Sequence, residues 1–153
     1  MKSFRLVLCL LFAFVAGGAA QAQQKLPPIV QAAIAESKKA CEPDKVTLEA
    51  GFVSEKDING DGRVDYILDY GKFTCGSSAT FFCGTGGCLT QVFASRADGS
   101  YVTALDENVR QIRFTRINNK PAIVLDLHGS ACGKTGAEAC PRTLTWDGKN
   151  FSR

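Results

Sequence analysis

The chain is 153 residues long, 45% hydrophobic and 22% charged, with a net charge of +3 at neutral pH. A chain of this size can build one modest core, and its apolar fraction is too high for a disordered polymer. Two of the three net positive charges, Lys2 and Arg5, belong to the leader described next, so the remainder carries only +1 and shows no basic footprint for nucleic acid or an anionic membrane.

Lys2 and Arg5, the apolar run Leu6 to Val15 and the small-residue site Ala20-Gln21-Ala22 read as a secretory signal over residues 1–22, with the mature chain starting at Gln23. The apolar run is shorter than the roughly 20 residues that cross a bilayer, and no later segment exceeds it. The expectation is a protein without a transmembrane segment, periplasmic or secreted. Cys9 lies in the leader, which leaves Cys41, Cys75, Cys83, Cys88, Cys132 and Cys140. An even set in an exported chain predicts three disulfides. Cys83 and Cys88 have a spacing that some zinc sites use, but no second close pair and a single histidine accompany them, so zinc is not expected.

Downstream of Leu26-Pro27-Pro28, Val30, Ile34, Ser37 and Cys41 recur at helical spacing until Pro43, which predicts one short helix over about 29–41 with Cys41 on its packed stripe. From Val46 onward alternation and turn residues take over. Strands are predicted at 46–54, 64–70, 89–95, 101–105, 109–117, 122–128, 142–146 and 150–153. The fold class is therefore mainly β: two consecutive four-stranded antiparallel meander units behind one short N-terminal helix, stabilised by disulfides. A single domain over 23–153 holds both, unit one at about 46–105 and unit two at about 108–153.

The pairing of units rests on an internal similarity. Ile67-Leu68-Asp69-Tyr70-Gly71-Lys72-Phe73-Thr74-Cys75-Gly76 aligns without a gap to Val124-Leu125-Asp126-Leu127-His128-Gly129-Ser130-Ala131-Cys132-Gly133. Each block follows an Ile-Asn turn, at Ile58-Asn59 and Ile117-Asn118, and each leads to a cysteine, a strand and an Asp-Gly turn, at Asp98-Gly99 and Asp147-Gly148. The similarity predicts Cys75 with Cys88 and Cys132 with Cys140 as equivalent loop-closing bonds, which leaves Cys41 with Cys83 to fasten the helix.

In unit two, Pro121 has no N–H for the pair flanking a two-residue turn, so Asn118-Asn119 is the predicted loop. Phe114 then pairs with Ile123 and Ile112 with Leu125 on an apolar face, while Gln111, Arg113, Asp126 and His128 share a polar one. Alternation separates Arg113 from Arg110 and Arg116, which predicts a solvated sheet face and not a binding patch.

The most specific motif is Asp57-Ile58-Asn59-Gly60-Asp61-Gly62-Arg63-Val64-Asp65. Asp57, Asn59, Asp61 and Asp65 fall at positions 1, 3, 5 and 9 of an EF-hand-like pattern, Gly62 falls at position 6, and the Arg63 carbonyl falls at position 7. Leu68 replaces the bidentate glutamate of position 12, and Val64 to Tyr70 alternates like a strand. One calcium ion is expected in a β-hairpin turn, held weakly and for structure. The matching turn in unit two has lost its acids. The loop resembles the D-x-[DN]-x-D-G-x-x-D calcium loops of FG-GAP and related VCBS-type repeats, and the whole chain resembles small exported bacterial proteins with an Asp-rich turn, a Gly-Gly-Cys loop and a Trp-Asp-Gly tail. What that resemblance implies is a calcium-ordered β unit and no named activity.

The expected function is that of a calcium-binding β module acting as a binding or interaction domain in the cell envelope, toward a protein or envelope ligand, with no catalytic residue assigned. Two alternatives come from other classes. A small hydrolase would use His128 with Asp126, but residues two apart on a strand stand about 6 to 7 Å apart and no G-x-S-x-G elbow is present. An enzyme inhibitor would insert the 76–87 loop with Phe81, although Phe81 or Phe82 covering the core is the simpler expectation.

Overall fold

A computed structural model describes residues 25–153, so the expected leader at 1–22, with Cys9 and the expected cleavage site, lies outside the described residues. Among the described residues no helix is long and apolar enough to cross a membrane. The first element is helix α1, Pro28–Ala40. Pro28 presets the helical φ where a missing N–H costs nothing, and Lys38 and Lys39 in the last turn suit the negative end of the helix dipole. Val30 is fully buried on the face that meets the sheet.

Eleven strands follow: β1 (Val46–Leu48), β2 (Val53–Lys56), β3 (Asp65–Asp69), β4 (Phe73–Cys75), β5 (Cys83–Gly84), β6 (Gly87–Ser95), β7 (Tyr101–Val109), β8 (Gln111–Ile117), β9 (Lys120–Leu127), β10 (Cys140–Trp146) and β11 (Phe151–Ser152). Antiparallel pairing links β2, β3, β6 and β7 in chain order, and β8, β9, β10 and β11 likewise. These correspond roughly to the two expected four-stranded meanders, except that between β3 and β6 the chain passes through β4 and through β5, a fifth short strand that also pairs with β6.

Three departures from the sequence expectation have local causes. The run 46–54 is two strands, because the backbone turns at Gly51, with φ of +88°, and Phe52 is drawn into the core. β1 then pairs with β4 as a separate ribbon. The strand at 101–105 continues to Val109, so only Arg110 separates β7 from β8. The third concerns the bridges. Cys41 pairs with Cys75 and Cys83 with Cys88, which corrects the expected Cys75–Cys88 and Cys41–Cys83; Cys132–Cys140 is as expected. β1 leaves the helix end and places Val46 opposite Cys75, bringing that thiol to Cys41, while Cys83 faces Cys88 directly across the short β5–β6 hairpin. The unit similarity holds at Cys88 and Cys140, each the closing residue of its loop near the start of a third strand.

The β2-β3-β6-β7 sheet is covered on both faces, giving three layers. Tyr66, Leu68, Tyr70, Phe73 and Phe93 pack beneath Val30 of α1. On the opposite face Ile67, Val92, Leu105 and Val109 meet Ile123, Leu125 and Leu127 of the second sheet. In that sheet Asn118 and Asn119 adopt the positive φ values of a two-residue turn, with Phe114 opposite Ile123 and Ile112 opposite Leu125 as expected. Gln111 and Arg113 face solvent.

One buried polar relay docks the helix. The Tyr70 hydroxyl donates to Gln91 Oε1 at 2.8 Å and lies 2.7 Å from Ser37 Oγ, which in turn reaches the Ala33 carbonyl. Burial raises the Tyr70 pKa above its usual value, partly offset by the Ser37 hydrogen bond. Tyr70→Phe leaves Gln91 without its donor and is expected to cost about 1 to 2 kcal/mol, read as a lower urea midpoint at unchanged slope.

Candidate functional site

The β2–β3 connection carries the acidic motif, and its side chains fold back onto their own backbone. Asp57 accepts the Gly60 N–H at 2.7 Å on one oxygen and the Gly62 N–H at 3.0 Å on the other. Asn59 Oδ1 accepts the Asp61 N–H, and Asp61 Oδ1 accepts the Arg63 N–H at 2.8 Å. The Asn59 and Asp61 bonds are short Asx-type closures, in which the amide or carboxyl oxygen reaches two residues ahead, while Asp57 reaches three and five residues ahead. The path needs left-handed backbone at Gly60 and Gly62, with φ of +79° and +80°. A side chain at Gly60 would also crowd Pro121 of unit two, whose Cγ lies 3.1 Å from the position of a Cβ.

Asp65 behaves differently. It is wholly buried, and its two oxygens are met by the N–H groups of Ile58, Asn59 and Ser95 together with the Ser95 hydroxyl, at 2.7 to 3.1 Å. Those donors fill a carboxylate's acceptor sites, so Asp65 ties both ends of the loop to the end of β6. Ser95, which sequence reasoning passed over, is the linking residue. Its hydroxyl stands 2.7 Å from Asp65 and also 3.0 and 3.2 Å from the two oxygens of Asp61. A hydroxyl has one proton to give. When it goes to Asp65, the Asp61 carboxylate faces the lone pairs of Ser95, with the Arg63 N–H and a 3.3 Å contact from Asn59 Nδ2 as its other neighbours.

Asp57, Asn59 and Asp61 therefore lie together in the loop, with Arg63 at its exit, and Asp65 sits behind it. Among the described residues no group of three or more His, Cys, Asp and Glu side chains stands as an ion-holding set, so any ion here would depend on the Asn59 oxygen and main-chain oxygens as well as carboxylates. The chain matches no protein-family model, no curated protein and no solved structure.

The other candidate residues are placed elsewhere. His128 caps a single turn of 3-10 helix, Gly129–Cys132, and its Nδ1 lies 2.7 Å from Ser130 Oγ. Its other ring nitrogen faces Gly136, where a Cβ would lie 2.4 Å away. Asp126 makes no hydrogen bond to His128 among the described residues, so the strand and loop do not assemble an acid, base and nucleophile in sequence. In the 76–87 loop, Phe82 packs edge-on against Tyr70 and Phe73 with ring centroids 4.8 and 5.0 Å apart, while Phe81 remains 42% exposed. Arg110 donates to the carbonyls of Thr85 and Gly136 and so joins the loop of one unit to that of the other. Arg116 donates to the Asn119 carbonyl in its own turn.

Proposed function

We propose that the chain is an exported β module of the cell envelope, a binding or interaction domain whose Asp57–Asp65 loop takes one structural calcium ion. The donor set fits a hard cation: the side-chain oxygens of Asp57, Asn59 and Asp61 and the carbonyl of Arg63, with no sulfur or imidazole among them. Asp65 holds that set in position from behind. The observation that carries the reading is the Asp61–Ser95–Asp65 cluster, where one hydroxyl proton lies between two carboxylates and leaves Asp61 short of positive charge. A cation in front of Asp61 supplies it.

Export is supported by the basic start, apolar run and A-x-A site of the leader together with three disulfides, which persist in oxidising compartments. Thermal melting of residues 23–153 in calcium and in chelator tests the ion, and Asp61→Ala is expected to abolish the difference between the two. An equal calcium-dependent shift in that variant would place the ion elsewhere.

A further inference from the structure

The inner faces of the two sheets do not close along their whole length. Where β2 and β3 stand against β8 they leave an open cleft of about 390 Å³, within the size range of small-ligand sites. Ile67 and Val109 wall it on the first sheet, Ile112 and Phe114 on the second. Ile112 and Phe114 pack on the core between the sheets and are left half-buried beside the cleft.

Two polar residues interrupt this apolar lining. Asp69 on β3 and Thr90 on β6 stand directly opposite each other, on the same face as the core residues Ile67 and Val92. Thr90 is 5% exposed and borders the cleft, and among the described residues its hydroxyl has no hydrogen-bond partner. A buried hydroxyl without a partner is costly, and native structures rarely retain one without a reason. Asp69 accepts the Gly71 N–H at 2.9 Å on one oxygen, and among the described residues its other oxygen accepts nothing. No cation pairs with it either, since the one ion pair among the described residues joins Arg142 to Glu107. Arg110 also borders the cleft, but its guanidinium is turned to the carbonyls of Thr85 and Gly136, neither of which does. Ser54 and Gln111 lie at the mouth, exposed to water. The unused capacity inside is therefore one carboxylate oxygen and one hydroxyl, side by side against an apolar wall.

That arrangement suits a ligand with a protonated amine at one end of an apolar body. We propose that this cleft binds a small primary amine, its ammonium donating to Asp69 and Thr90 and its apolar body lying against Ile67, Ile112 and Phe114. The proposal goes beyond the reading of the chain as a binding module by naming a ligand class, and it stands on the cleft and not on the ion.

Titration of isotope-labelled residues 23–153 with phenethylamine, followed by amide NMR, is expected to give saturable shifts at Asp69, Thr90 and Ile112 with a Kd of about 1 mM, the range open to so small a ligand. Phenethyl alcohol, a neutral molecule of nearly the same shape, is expected to bind about tenfold more weakly, and the anion hydrocinnamate more weakly still. Asp69→Asn keeps an oxygen for the Gly71 N–H, so the domain folds, and the variant should bring the amine level with the alcohol. Thr90→Val keeps the shape of the buried side chain and should weaken the amine about threefold. No saturable shift up to about 20 mM, equal binding of amine and alcohol, or unchanged amine affinity in Asp69→Asn would each overturn the proposal. The same shifts are expected in calcium and in chelator, because Asp69 lies outside the Asp57–Asp65 loop, whereas the melting experiment bears on the ion alone.

Discussion

Asp65→Ala is expected to cost the domain about 3 kcal/mol or more, a large part of the roughly 5 to 15 kcal/mol that holds a domain of this size together. Among the described residues the buried carboxyl pairs with no cation, and its oxygens are met by three backbone N–H groups and a hydroxyl. Removing it strands the N–H groups of Ile58, Asn59 and Ser95 in an interior where each orphan donor costs about 1 to 3 kcal/mol. The same substitution cuts the tie between the loop and β6. Urea denaturation in chelator is the measurement, because the loss arises from hydrogen bonds and should persist without any cation. Asp57→Ala, on the exposed side of the loop, should cost no more than about 1 kcal/mol under the same conditions. Equal losses in the two variants would contradict the division of roles between them.

Replacing both Cys41 and Cys75 by alanine is expected to cost about 4 kcal/mol, against about 2 for the Cys83–Cys88 pair and about 2.5 for Cys132–Cys140. The order follows from loop size. The first bridge spans 34 residues, the other two 5 and 8, and the entropy removed from the unfolded chain grows with the logarithm of the span. Only the first bond also fastens the end of α1 to the β1–β4 ribbon. Melting temperatures of the three double variants measure the order, and a smaller loss for Cys41/Cys75 than for either short loop would refute it.

The meander architecture was legible because six of its eight strands, β3 and β6 to β10, run five residues or more and carry a clear alternation, and the Asn118-Asn119 turn because Pro121 leaves one workable register. β4 and β5 were not, since three and two residues hold too little pattern to distinguish a strand from a loop. The bridges went astray for that reason: Cys75 and Cys83 sit on those two short elements, and their partners are set by pairings the sequence does not display. The acidic loop was legible as a motif. What its spacing did not show is that Asp65 turns inward, because that depends on Ser95, a residue 30 positions away that ends an apolar run.

We propose that the Asp57–Asp65 loop takes a calcium ion. Calorimetric titration of residues 23–153 with calcium, followed by melting at about 10 mM, tests it most directly. One site is expected with a Kd of about 10⁻⁴ to 10⁻³ M, hence about 1.4 to 2.7 kcal/mol of added stability and a melting temperature higher by about 4 to 10 °C, all lost in Asp61→Ala. No binding heat and an unchanged melting temperature at that concentration would contradict it.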